Sequence, residues 1–152
     1  MKRTSSKTDV ATVFLRLAIS SAYLWEVADR FGLLGRPGQT HVGWGDWKHF
    51  VQYARQVMIF LPPGWVPSLA VLATIGEAFF GLMLLVGYFT RLAAIGSGLL
   101  SLCFAIAMAI SFGIDSPLGY SVFTVSAASF VLATLPSYGF SIDELLSKRT
   151  DR

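Results

Sequence analysis

Arg16, Ser20, Tyr23, Glu26 and Arg30 follow one another at intervals of three or four residues, and Glu77 stands alone in an uncharged run from Val66 to Thr90. At about 100° per residue on a helix, Thr12, Arg16, Ser20, Tyr23, Glu26 and Arg30 fall within a sector about 120° wide, and Trp25 points the opposite way. A second stripe comprises Ala70, Thr74, Glu77 and Gly81. An ionised side chain at the centre of a bilayer costs roughly 2.5 to 3.5 kcal/mol on insertion scales, so such residues turn inward and pair. At about 1.5 Å of rise per residue, Arg16 lies about 5 Å from the midpoint of the first apolar segment, and Glu77 lies near the midpoint of the second. An Arg16 to Glu77 ion pair is therefore expected, with Tyr23 and Glu26 continuing the polar track toward Arg30. The pattern allows two readings. Either the pair only fixes helix register, or Arg16, Tyr23, Glu26, Arg30 and Glu77 line a pocket that binds a polar head group or passes protons.

A bilayer is the solvent that gives these residues their meaning. Of the 152 residues, 54% are hydrophobic and 14% charged, too apolar for a soluble domain of this size. A span needs about 20 mainly apolar residues, and segments 10–28, 66–86, 92–112 and 118–135 qualify. The continuous apolar run of 92–112 is unlike the short alternating segments of a membrane barrel. The expected fold is all-α: a four-helix transmembrane bundle in a single integral membrane domain. A cleaved leader is the other reading of the basic start, but Arg16 interrupts the apolar core a leader requires.

Lys and Arg set the orientation. With the N-terminus inside, seven of them (Lys2, Arg3, Lys7, Arg91, Lys148, Arg149 and Arg152) face the cytoplasm, and four (Arg30, Arg36, Lys48 and Arg55) lie outside. The excess predicts two cytoplasmic termini. Trp25, Trp44, Trp47 and Trp65 then gather near the outer boundary, where amphipathic rings are favoured.

The external stretch between the first two spans is long and rich in glycine as far as Gly45. Beyond it Trp47, Phe50, Val51, Ala54, Val57, Met58 and Leu61 recur at helical spacing, opposite Lys48, His49, Gln52, Arg55 and Gln56. This predicts an amphipathic interfacial helix over 46–61. It is either a lipid-anchored cover or a lid, carrying Trp44, Trp47, His49 and Arg55, over a cavity between the spans. In the third span Ala93, Ser97, Ser101, Ala105 and Ala109 form a ridge of small residues, a packing surface or a polar lining. Gly81 allows a similar close approach. The fourth span offers Tyr120, Thr124, Ala127, Ala128 and Val131 on one side. Ser141 and Glu144 have capping-box spacing before a short helix over 142–148.

Several chemistries lack their residues. One cysteine, Cys103, cannot hold an iron–sulfur cluster, and no histidine pair lies in a span to hold a haem. His41 and His49 have no further ligands nearby, so no metal is expected. P-loop, Rossmann, HExxH and GxSxG patterns are missing. The net charge of +3 reflects membrane topology rather than nucleic acid.

The stretch LATIGEAFFGLMLLVGYFTRL, Leu72 to Leu92, resembles the second-helix signature of the DoxX family. That signature has a central glutamate, a glycine four residues on, an apolar run, and a glycine and Thr-Arg pair before the next helix. FLRLAISSAYLWEVADRFG is similar to the family's first helix, with Arg16 at its arginine position. The likeness covers about residues 10 to 135. It departs after the first helix, where many members have a glycine and a lysine and this chain has Ala28, Asp29, Arg30, Phe31 and Gly32. The resemblance implies a four-helix protein of the bacterial inner membrane, associated as a subunit with quinone-linked oxidation of sulfur compounds. A quinone and redox partner subunits are thus the implied cofactor and partners. A homo-oligomer is a further expected assembly, and the alternative function is a non-catalytic membrane protein that binds a lipid or small solute or scaffolds partner proteins.

Overall fold

The computed structural model describes residues 6–150; Lys2, Arg3 and Arg152, which enter the orientation count, lie outside them. Seven helices and no strand occur among the described residues: α1 (Ser6–Arg30), α2 (Trp47–Val57), α3 (Val66–Val86), α4 (Thr90–Phe112), α5 (Asp115–Gly119), α6 (Val122–Thr134) and α7 (Ile142–Thr150). Among these, α1, α3 and α4 are long and apolar enough to cross a membrane. The chain is an all-α membrane protein.

Local chemistry sets the ends. Asp46 accepts the backbone N–H of His49 at 2.8 Å and so caps α2, supplying an acceptor for one of the donors a helix start leaves unpaired. Pro67 stands in the first turn of α3, where its missing N–H costs nothing. Gly87 closes α3 at a left-handed φ of 69°, a geometry glycine adopts without penalty. Phe89 opens α4 with no side-chain cap of its own. Its N–H and that of Thr90 donate instead to the Asp143 carboxylate at 2.9 and 2.8 Å, so α7 caps α4 from across the fold.

α1 packs on α3, α3 on α4, α4 on α6, and α6 back on α1. Small residues let the backbones approach: Ala93, Ala94, Ser97, Gly98, Ser101 and Ala105 of α4 are all buried. Hydroxyls cross the seams. Ser20 donates to the Gly81 carbonyl (2.8 Å), Ser126 to the Gly98 carbonyl (2.8 Å), and Ser97 meets Ser129 at 3.0 Å. Each such bond contributes about 0.6 kcal/mol on average in a membrane, so they align helices more than they stabilise them.

Several expected boundaries change: α1 runs Ser6–Arg30 beyond the expected 10–28, and α4 begins at Thr90 rather than at 92. The segment 118–135 is not one helix: Ser121, at a left-handed φ of 57°, separates α5 from the 13-residue α6. That break resets the helical phase. Ser126, Ser129 and Leu132 turn inward, while of the residues named on one side Tyr120, Thr124, Ala127 and Val131 are exposed and Ala128 packs against the core. α2 ends at Val57 rather than residue 61 because Pro62 and Pro63 disfavour helical backbone before them. α7 begins where expected and continues to Thr150. Its Ser141 hydroxyl accepts the Glu144 N–H at 3.0 Å, and the Glu144 carboxylate accepts from Phe140 N–H at 2.8 Å rather than from Ser141.

Candidate functional site

Arg30, the last residue of α1, is 3% exposed and reaches back into the helix layer. Its Nη1 lies 2.5 Å from Glu77 Oε2 and donates to Thr74 Oγ1 at 2.8 Å. Thr74 in turn donates to the Ala70 carbonyl at 2.8 Å. The guanidinium carbon stands 3.9 Å from the Phe50 ring centroid and 5.3 Å from that of Trp44. A desolvated cation–π contact of this kind is worth about 2 kcal/mol. Arg30 Nε is buried without an acceptor.

The neighbouring Asp29 builds the roof. Buried at 2% exposure, it accepts the Trp44 N–H at 2.6 Å through Oδ2, tying the external loop to α1 and setting Trp44 over Arg30. Its Oδ1 is buried and unpaired. Glu26, half-buried one turn earlier, lies within electrostatic reach of both Asp29 and Arg30. Arg30 thus has Glu77 beside it and Glu26 within electrostatic reach, with aromatic rings above.

The expected Arg16 to Glu77 pair does not form. Arg16 donates through Nε to Leu84 O (3.0 Å), through Nη2 to Leu85 O (3.3 Å), and through Nη1 to Gly139 O and Phe140 O (3.0 and 3.3 Å). The cause is side-chain direction: helical side chains lean toward their own N-terminus. Ser20 faces Gly81 and Arg16 faces Leu84 and Leu85, so Arg16 leans away from Glu77. By the same rule Arg30 leans inward onto it.

Tyr23 also leaves the expected track. Its hydroxyl donates to Ser97 O (2.7 Å) and lies 2.6 Å from Ser101 Oγ, which fastens α1 to α4. Among the residues expected for helix packing, Gly81, Ser97, Ser101 and Ala105 are all buried at the seams. Of the four assigned to a lid, Trp44 covers Arg30 and Trp47 stacks on Phe31 at 6.3 Å and 16°. His49 and Arg55 are exposed on the opposite face of α2, where His49 pairs with Asp46 at 2.8 Å. The His49 backbone N–H, then its ring, hold the Asp46 carboxyl below its usual range. Burial pushes the Tyr53 phenol up.

Beside the polar centre is a groove of 270 Å³ lined by Phe31, Trp47, Val71, Thr74 and Ile75. Thr74 therefore belongs to both the groove and the Arg30 bonds. No group of three or more His, Cys, Asp or Glu among the described residues is placed to hold a metal. Sequence reasoning missed Asp29, Phe50 and Asp143 as partners. Phe50 carried a signal, the inward face of α2; the two aspartates act across loops and carried none.

A family model described as TQO small subunit DoxD matches residues 48–152, more than half the chain. The match takes in Glu77, Thr74 and most of α2, while Arg16 and Arg30 precede it. No curated protein and no solved structure matches.

Proposed function

The chain belongs to the DoxD family, and from that premise we propose that it is a membrane subunit of a thiosulfate:quinone oxidoreductase-like complex. Its part there is to hold a quinone head group beside Arg30, with partner subunits oxidising the donor. The observation that carries this is Arg30 Nε, a buried donor without an acceptor; Thr74, which binds Nη1 of the same guanidinium, also lines an apolar groove. A quinone carbonyl is a hydrogen-bond acceptor on a flat ring, which suits both.

The chain's own residues supply position and charge. Glu77 and Thr74 fix the guanidinium through Nη1, which leaves Nε–H for the ligand oxygen. A quinone accepts two electrons and two protons when it is reduced. Fixed positive charge next to the oxygen where negative charge develops favours that change, because the donor needs no reorganisation. Phe50 and Trp44 exclude water and so strengthen the interaction.

In the arrangement proposed, α5 and α6 together make the fourth crossing of a four-helix membrane domain, and α2 lies in the outer interface. Both termini are cytoplasmic at a bacterial inner membrane, which puts the Arg30 end outside. The apolar lining of the groove supports a second reading: a lipid or small amphiphile that is held without redox chemistry.

Native protein purified with its partners in mild detergent distinguishes the two. Copurified quinone, lost on Arg30→Met, supports the redox reading. Phospholipid retained in its place, with no quinone reduction by the complex, supports the second.

A further inference from the structure

We propose that the polar face of α2 binds the phosphate of an anionic phospholipid head group through Lys48 and Arg55. This is independent of what Arg30 holds. Phe50, Ala54 and Val57 bury one face of α2 against the bundle, and Lys48, Gln52 and Arg55 are exposed on the other. Lys48 and Arg55 are seven positions apart, so at about 100° per residue they stand in line, two turns or about 10 Å from each other, with Gln52 between them. Among the described residues the ion pairs at this end are Arg30 with Glu77 and His49 with Asp46, and no carboxylate pairs with Lys48 or Arg55. The Asp46 carboxylate nearby is taken up by the His49 N–H and ring.

Depth separates this stripe from an ordinary solvated face. Trp47, the first residue of α2, shares a groove with Val71, Thr74 and Ile75, which lie five to nine positions into α3, or about 8 to 14 Å below its outer end. The other end of α2 stands beside the last turn of α4, where Ser111 donates to the Val57 carbonyl at 2.6 Å. α2 therefore climbs through the outer boundary layer, alongside helices long and apolar enough to cross a membrane, instead of lying flat on it. Exposed apolar side chains come before it, Phe31 and Leu33, and after it, Ile59, Phe60 and Trp65. Such side chains are favoured where head groups meet acyl chains. A lysine and an arginine held at that level without a counter-ion are stabilised by the anion found there, and phosphate suits both, as a partner for an ammonium and as a two-oxygen acceptor for a guanidinium. One lipid layer thus answers the apolar flanks with its chains and the cations with its phosphates.

The test uses the full chain in phosphatidylcholine nanodiscs that contain a minor fraction of phosphatidylglycerol with a photo-crosslinking head group; a phosphatidylcholine probe with the same crosslinker is the control. Cross-links are mapped by peptide mass spectrometry. The anionic probe is expected to label residues 47–56 at least tenfold more than the zwitterionic one, and less as salt rises. A cation near an anionic membrane surface contributes about 1 kcal/mol, which corresponds to about fivefold in binding. Lys48→Gln and Arg55→Gln should therefore each cut the labelling about fivefold, and the double variant at least tenfold. Neither side chain has an ion pair to lose, so thermal midpoints in phosphatidylcholine alone should stay unchanged. Equal labelling by the two probes, or a double variant labelled like wild type, overturns the proposal. Shielding of residues 47–56 by a copurified protein subunit that the double variant no longer binds overturns it in favour of a protein partner.

Discussion

Arg16 and Arg30 stand on the same face of α1 about four turns, or roughly 21 Å, apart, and both are 3% exposed. Their surroundings differ in kind. The hydrogen bonds of Arg16 go to backbone: four carbonyls, at the C-terminal end of α3 and in the tail, receive three of its nitrogens, with Asp143 within electrostatic reach. A cation there also meets the negative end of the α3 dipole. Gly87 belongs to the same arrangement, because a Cβ on it would lie 2.6 Å from Arg16 Nη2. Arg30 instead faces carboxylates, a hydroxyl and aromatic rings, and one of its donors has nothing to bind. A buried cation saturated by carbonyls is a fastening. One held by side chains, with a donor left over, is what the proposed ligand site would need.

The largest effect that separates the two comes from Arg30→Met. It leaves Glu77 buried without its partner, a change that costs about 3 to 5 kcal/mol, and it removes the donor proposed for the ligand. Adding Glu77→Met is expected to restore most of the thermal stability but none of the quinone binding. If the double variant binds quinone like wild type, Arg30 is a fastening as well. Arg16→Met should come next, at about 3 kcal/mol for the loss of charge-assisted bonds, seen as a lower thermal midpoint. The folded fraction should still bind quinone with unchanged affinity. Smaller again is Asp143→Ala, which removes the cap that α7 provides to α4. About 1 kcal/mol is expected, typical of a lost N-cap, with faster amide exchange at Phe89 and Thr90 and no change in binding.

The sequence carried the elements of this comparison better than their pairing. A helical period of 3.6 placed Thr12, Arg16, Ser20, Tyr23, Glu26 and Arg30 on one inward face; Glu26 is half-buried and the other five are buried. The same periodicity found the Ala93 to Ala105 ridge and the buried face of α2. Pairing depended on two things that a depth count omits. One is the lean of helical side chains, which turned Arg16 away from Glu77 and Arg30 toward it. The other is loop closure: Asp29 reaching Trp44, and Asp143 reaching α4, are contacts between segments whose approach no local pattern records. The break at Ser121 was hidden for a similar reason, since the apolar run continues through it.

The smallest test compares the acid response of the two ends. Asp46 at the α2 cap and Glu144 at the start of α7 both hold carboxyls below their usual range, the first through the His49 backbone and ring, the second through Lys148 and the Phe140 N–H. A depressed carboxyl contributes stability above its unfolded pKa and loses it as the pH falls through the folded value. Both caps should therefore weaken below about pH 4. The consequence should differ between the ends. The tail behind Glu144 remains fastened by the Arg16 bonds to Gly139 and Phe140, and the guanidinium keeps its charge at that pH. The first turn of α2 rests on the Asp46 cap and on the backbone bond from Phe50 N–H to Asp46 O; Arg30 touches the Phe50 ring, but among the described residues no cation from another helix is hydrogen-bonded to the backbone of this turn to take over when the cap weakens. Amide exchange measured from pH 6 to pH 3 should accelerate at residues 48–50 before it does at residues 138–141. Equal acceleration at both ends would mean that Arg16 does not hold the tail independently of its carboxylates, and the contrast between the two arginines would lose its structural half.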